Sequence, residues 1–205
     1  CYMVQGKGSK TFDEAKAFCY KQPLLAHRLL QMITDTTIAY LKGQVRAGVD
    51  VIQIFDSWGG LLGPEDFENI SLRYMRQIIN ALKEDVLTII FAKGAWHSLK
   101  SMADTGAEGL GIDWCITPQM ARHLAGDEIT LQGNFDPAKL LSPTDVIKKE
   151  VRKMLNDFGS QGHIANLGHG ILPNVPVDHA RAFVETVKNH RYNDSNSLEQ
   201  KNGIA

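Results

Sequence analysis

Excess charge of either sign is missing from this chain. Its 205 residues hold 22 Lys+Arg against 23 Asp+Glu, a net charge of -1. That gives no broad basic footprint for neutralising nucleic-acid phosphates, so any polyanion the protein handles has to be met by local charge. Long apolar runs are missing too. None approaches the roughly 20 residues of a membrane span, although 43% hydrophobic residues suffice for a core. Cysteines are few. Cys1, Cys19 and Cys115 are odd in number and spaced like neither a disulfide framework nor a zinc site, which favours a reducing, cytoplasmic compartment. His and Cys do not cluster with carboxylates at ligand spacing, so no metal site is expected. No G-x-G-x-x-G opens a helix, which removes support for a dinucleotide fold, and no G-x-S-x-G surrounds Ser57, which makes a hydrolase triad a poor fit. An initiator methionine is also missing. The start Cys1-Tyr2-Met3-Val4 reads as the cut edge of something longer rather than as a processed lipoprotein cysteine, for which no lipid signal is present.

What is present is alternation. Short apolar, β-branched runs at 51–55, 87–91, 109–112, 129–132 and 164–167 read as strands, and Tyr2-Met3-Val4 as the end of a sixth, followed by a Thr11-Phe12-Asp13-Glu14 capping box. Between them apolar residues recur at helical spacing, as in Leu29, Leu30, Ile33, Thr37, Tyr40, Leu41 and Val45, with Gly48 where a left-handed cap is wanted. Pro64, Pro118, Pro137 and Pro143 stand where first helical positions are expected, since proline has no N–H to leave unpaired there. Gly48 and Gly106 precede strands in similar contexts, the helix-Gly-strand joint of a βα repeat. Strict βαβα order predicts a parallel α/β sheet, either open and doubly wound or closed as a barrel. Met75, Met102, Met120 and Met154 fall on helical patterns and read as core. The tail from 191 to 205 is polar and reads as disordered.

If the strands run one way, the residues just past their C-terminal ends are Asp56-Ser57-Trp58, Lys93-Gly94, Asp113-Trp114, Gly133-Asn134 and Gly168-His169-Gly170, with Tyr2 on the sixth. Hydrogen-bonding side chains therefore gather on one rim, the rim on which barrel enzymes build their sites. Helix capping would also account for any one of them. His169 is the sharpest case, because its two flanking glycines let backbone come close to a ligand. His27, His97, His123 and His163 read as structural, and His179 and His190 as solvated on the last helix. Lys93 fits either an anion-binding or Schiff-base lysine or, the reading favoured, an ion pair with Asp113; Asp113 equally suits a backbone N–H.

These segments together resemble the uroporphyrinogen decarboxylase family. The resemblance rests on Tyr2-Met3-Val4-Gln5-Gly6, Gln53-Ile54-Phe55-Asp56-Ser57-Trp58, Ile90-Phe91-Ala92-Lys93, Gly111-Ile112-Asp113-Trp114, Leu131-Gln132-Gly133-Asn134-Phe135-Asp136-Pro137 and Asn166-Leu167-Gly168-His169-Gly170-Ile171-Leu172-Pro173. It implies a (β/α)8 TIM barrel over residues 1–190, with 191–205 as a tail. A barrel takes about 250 residues, about 31 per unit, so about six of its eight units are expected here. It also implies removal of carbon dioxide from the four acetate side chains of uroporphyrinogen III to give coproporphyrinogen III, by a homodimeric carboxy-lyase without metal or other cofactor. Tyr2, Ser57 and His169 match the family's substrate-binding positions. The family's catalytic Asp and its arginines lie N-terminal to the Tyr2 segment, so no catalytic residue is expected in this chain, and the 205 residues alone are expected to form no coproporphyrinogen. Gln5 stands where the family commonly has Glu. Two other readings remain. Zinc-dependent corrinoid methyltransferases of the same superfamily carry a His-x-Cys pair near the strand that here reads Phe91-Ala92-Lys93-Gly94-Ala95-Trp96. The other is a non-catalytic fragment.

Overall fold

The computed structural model describes residues 1–192. In chain order the helices and strands are α1 (Tyr2–Gln5), α2 (Asp13–Lys21), α3 (Pro23–Arg46), β1 (Val51–Asp56), α4 (Pro64–Phe67), α5 (Arg73–Leu82), β2 (Leu87–Ala92), α6 (Leu99–Ala103), β3 (Gly109–Gly111), α7 (Pro118–Ala125), β4 (Thr130–Phe135), α8 (Thr144–Phe158), β5 (His163–Leu167) and α9 (Val177–Asn189). All five strands pair in parallel, in the order β1-β2-β3-β4-β5. A doubly wound sheet reverses its strand order at a switch point, and this one never does. Each crossover advances by one strand, the winding of a (β/α)8 barrel.

Five strands rather than six are found among the described residues. Tyr2–Gln5 is a single helical turn closed by Gly6 in the left-handed region at φ 73, its N–H bonded to the Tyr2 carbonyl. The buried Gln5 amide oxygen accepts the Ala15 N–H at 3.1 Å, so this segment is tied to α2 and not to the sheet. Three apolar residues are too short a run to tell strand from helix. The expected capping box is also replaced. Ser9 Oγ accepts the N–H groups of Thr11 and Phe12, while the Thr11 hydroxyl turns to Asp13, and α2 starts from Phe12 at φ 47. Pro64, Pro118 and Pro137 do open their helical segments, whereas Pro143 sits one position ahead of α8. Gly48 and Gly106, at φ 93 and 87, make the positive-φ joints expected before β1 and β3.

One face of the sheet is covered. Ile90, Leu110 and Leu131 are fully buried and pack with Phe67, Leu72, Ile79, Leu99 and Met102 from the covering helices. A second cluster joins Phe135, Leu140, Ile147, Val151, Leu155 and Phe183 between β4, α8 and α9. Truncating one of these fully buried side chains to Ala costs about 2–5 kcal/mol through lost transfer energy and the cavity left behind. Met75, Met102 and Met154 are core as expected, but Met120 is exposed. The opposite face is open: Phe55 is 66% exposed and Ile164 42%, at the two edge strands. Among the described residues no helix is long and apolar enough to cross a membrane. Residues 193–205, most of the expected tail, lie outside the described residues.

Candidate functional site

The open face and the C-terminal strand ends enclose a cavity of about 500 Å3. Ser57 and His169, far apart in sequence, both line it, with Gln53, Phe55, Phe91 and Gln132 from the strands and Asn166 from β5. Register explains the grouping, because Phe55, Phe91, Gly111, Gln132 and Ile164 form one cross-strand row. Gly111 is part of how the space arises: a Cβ there would come within 2.9 Å of the Phe91 side chain. The amides of Gln53, Gln132 and Asn166 were not singled out by sequence reasoning. Period-2 alternation on β1, β4 and β5 is the signal that finds them, since these polar residues fall on the strand face opposite the buried aliphatic ones.

Tyr2 is not among the residues lining this cavity. Its phenolic oxygen accepts the indole N–H of Trp58, next in sequence to Ser57, at 3.2 Å, and Phe12 is fully buried against both rings. Asp56, beside Ser57, faces the helices. Its carboxylate accepts the Ser71 hydroxyl at 2.5 Å and the Trp58 N–H at 3.1 Å. Ser71 lies in a π-helical stretch, Glu68–Leu72, and such a widened turn re-aims side chains. The pair fixes the turn that carries Ser57 and Trp58.

Asp113 and Lys93 do not form the ion pair favoured from sequence. Asp113 is buried and its two oxygens accept the backbone N–H groups of Gly94 at 2.6 Å and Cys115 at 2.8 Å. Lys93 instead lays its ammonium 5.5 Å from the Trp114 ring centre. Backbone N–H groups of a turn satisfy a buried carboxylate without the cost of burying a second charge beside it. Asn134 is likewise diverted from the main cavity. It donates to the carbonyls of Asp113 and Ile116 at 3.2 and 2.8 Å and borders a separate cleft of about 280 Å3 with Trp114, Lys139, Glu150 and Lys153.

The glycines around His169 have unequal roles. A Cβ on Gly168 would lie 2.9 Å from Asp113 Cα and 3.0 Å from the Trp114 nitrogen, whereas Gly170 has open space. Gly168 therefore admits neighbouring protein backbone. The His169 ring packs 5.9 Å from Phe91, and partial burial, reinforced by the nearby Lys93 charge, lowers its pKa below the ordinary 6.5 despite the opposing pull of Asp113. A neutral imidazole offers one N–H donor and one acceptor. Burial and the Asp113 charge push the Cys115 thiol up, which keeps it protonated and unsuited to nucleophilic attack. His27, His97 and His163 are held outside the cavity by Tyr74, Ser98 and the Gly133 carbonyl, while His123 is exposed. His179 is not simply solvated, for its Nδ1 meets the Leu140 carbonyl at 2.6 Å. His190 is half-buried and packs on Tyr192 at 4.6 Å. Among the described residues no three His, Cys, Asp or Glu side chains converge as a metal site.

Five parallel strands wound in one direction, with polar side chains around an open cavity at their C-terminal ends, define an α/β protein of the (β/α)8-barrel class. The sequence profile described as uroporphyrinogen decarboxylase (URO-D) matches residues 1–190, and the chain belongs to that family. It is 59% identical over 191 residues to a uroporphyrinogen decarboxylase of Christiangramia forsetii, covering 93% of this chain and 56% of that protein. Identity to the protein of the same name in Flavobacterium johnsoniae is 55% over 190 residues, with the same coverages, and to that of Ovis aries 43% over 197 residues, covering 92% and 54%. The chain spans about half the length of the curated relatives it matches. Among solved structures, a methyltransferase from Methanosarcina mazei superposes with a TM-score of 0.76 at 26% identity, covering 87% of this chain and 53% of that one.

Proposed function

We propose that this chain is part of an enzyme that decarboxylates the four acetate side chains of uroporphyrinogen III to give coproporphyrinogen III, and that it forms much of the substrate-facing rim. The observation that carries the reading is family membership over residues 1–190 at up to 59% identity to named decarboxylases among the relatives above. The cavity that joins Ser57 to His169 is compatible with it. An acetate on a pyrrole cannot lose carbon dioxide directly without leaving a poorly stabilised carbanion. Protonation of the pyrrole carbon first gives a cationic ring. The electron pair of the breaking C–C bond then enters that ring as an exocyclic double bond. A second proton delivered to the exocyclic carbon makes the methyl group, and loss of the proton first added to the ring carbon restores the neutral pyrrole. The protein has to hold a polyanionic macrocycle, stabilise the ring cation and manage protons.

In this reading Ser57 donates its hydroxyl, and Tyr2 its phenol, to the tetrapyrrole or its carboxylates. His169, kept neutral, donates one ring N–H to a propionate. Gln53, Gln132 and Asn166 offer further amide donors on the cavity wall. The reading assigns no cofactor, and it takes the enzyme to be a cytoplasmic homodimer. The free thiols of Cys1, Cys19 and Cys115 agree with a reducing compartment. A methyltransferase is the second reading, favoured by the Methanosarcina mazei structure. The segment Phe91-Ala92-Lys93-Gly94-Ala95-Trp96 holds no His-x-Cys pair, which counts against its zinc-dependent form.

The test is a chimera in which this chain replaces the matching segment of the Christiangramia forsetii relative. With uroporphyrinogen III as substrate and products resolved by carboxyl count, Ser57→Ala and His169→Ala are each expected to lower kcat/KM by about tenfold or more, the range for a hydrogen bond to a charged group. Unchanged rates would return both residues to structural roles.

A further inference from the structure

Among the described residues Lys93 makes no side-chain hydrogen bond or ion pair. Its backbone is pinned on both sides of the turn after β2: its N–H donates to the Asp56 carbonyl at 3.0 Å and its carbonyl accepts the Gly60 N–H at 2.9 Å. A Cβ on Gly60 would approach that carbonyl to 2.6 Å, so the β1 loop and the Lys93 turn are fitted backbone to backbone. The side chain is half-buried. Among the described residues the ion pairs are Arg76–Glu68, Lys139–Glu150, Lys153–Asp157 and Arg181–Asp178, and Lys93 is in none of them. The neighbouring carboxylate, Asp113, has an N–H on each oxygen already. Among the described residues the Lys93 ammonium thus rests near Trp114 without a carboxylate in ion-pair contact. The same Trp114 ring meets the turn before His169, where a Cβ on Gly168 would lie 3.1 Å from it, and the Lys93 charge adds to the lowering of the His169 pKa.

A half-desolvated cation held on a rigid turn and left unpaired costs stability, and the cost is recovered when an anion binds. We infer that Lys93, just past the C-terminal end of β2 and not itself among the residues lining the cavity, is the charged anchor for a carboxylate of the bound ligand. The inference rests on the decarboxylase reading for the identity of that ligand, a tetrapyrrole polycarboxylate. It divides the labour at this end of the site. Lys93 supplies charge, which a compact ammonium does without demanding one geometry, and neutral His169 supplies a directed N–H. Trp114 completes the arrangement by holding the ammonium over its ring until the carboxylate arrives.

The probe is uroporphyrin, the oxidised octacarboxylate, titrated into the full chain, with binding read from its absorbance and from tryptophan fluorescence. Lys93→Met and Lys93→Gln are expected to weaken binding by about tenfold, Lys93→Arg to retain most of it, and Lys139→Met, altered in the separate cleft, to leave it unchanged. Affinity of the unaltered chain falls more steeply with salt than that of Lys93→Met. Equal affinities in all the Lys93 variants would overturn the inference and leave the decarboxylase reading standing. Lys93-dependent binding together with a folded chimera that yields no coproporphyrinogen would overturn the decarboxylase reading and keep the anion site. An unaltered chain that does not bind uroporphyrin overturns the anion site and leaves the decarboxylase reading to the chimera.

Discussion

Asp113 reaches from the end of β3 to accept the backbone N–H of Gly94 at 2.6 Å, across the interval between two neighbouring strand ends. With its second oxygen on the Cys115 N–H, it sets the β2 turn that carries Lys93 and the β3 turn that carries Trp114 in one frame. An amide in its place offers one acceptor and turns an NH2 toward a backbone N–H. Asp113→Asn is expected to lose about 1–3 kcal/mol of stability, the cost of a buried donor left unsatisfied. Denaturant unfolding of the chain checks this; a midpoint unchanged from that of the unaltered chain would mean the carboxylate is not what holds the frame.

Gly168 and Gly170 separate two explanations for a glycine beside a site residue. Gly168→Ala places a methyl against the backbone of Asp113 and Trp114, and is expected to cost about 1–3 kcal/mol by overpacking, with loss of ligand affinity as the frame shifts. Gly170→Ala meets nothing within 4 Å and is expected to be close to neutral. Paired unfolding curves decide it, and equal midpoints would remove the packing explanation.

His163 makes stability depend on pH. Its ring stacks on Phe158 at 3.8 Å with Nε2 on the Gly133 carbonyl, and burial, aided by the charge of Arg122 and opposed by that hydrogen bond, lowers its pKa below the ordinary 6.5. Because the folded value lies below the unfolded one, the contribution is complete above 6.5 and is lost as pH falls from there through the folded value. Between about pH 8 and pH 5 the unaltered chain is expected to lose more stability than His163→Gln. Parallel slopes in urea titrations would show that His163 does not carry the dependence.

His169 is expected to titrate below its ordinary value, first because it is partly buried and next because of Lys93. Removing the charge with Lys93→Met is expected to raise the value without restoring it fully, since burial remains. NMR titration of the imidazole reads both; an imidazole indifferent to Lys93 would show that the two groups do not share a field.

Much of the fold was legible because parallel strands buried by helices carry strong local signals. The runs ending at Phe55, Phe91 and Leu167 are apolar and β-branched, and Pro64 and Pro118 mark helix starts by chemistry that acts within one turn. Tyr2–Gln5 was misread because the contact that decides it, Gln5 to Ala15, is tertiary. The same division holds at the site. Ser57 and His169 could be placed by their position after strands, and they do share a cavity. For Asp113 the sequence left Lys93 and a backbone N–H both open. The backbone reading holds, but which N–H groups it takes could not be read, since backbone donors leave no mark in sequence. Asn134 sits at a strand end like the others, yet its amide turns to the Asp113 and Ile116 carbonyls, a choice made by the loop it meets.

The most direct measurement is product formation by the chimera in which this chain occupies the matching segment of the Christiangramia forsetii relative. Incubated with uroporphyrinogen III and resolved by carboxyl count, it is predicted to pass through the partly decarboxylated species and accumulate the four-carboxyl product, coproporphyrinogen III. A soluble chimera with the circular dichroism of a folded α/β protein that leaves the eight-carboxyl substrate intact would contradict the account.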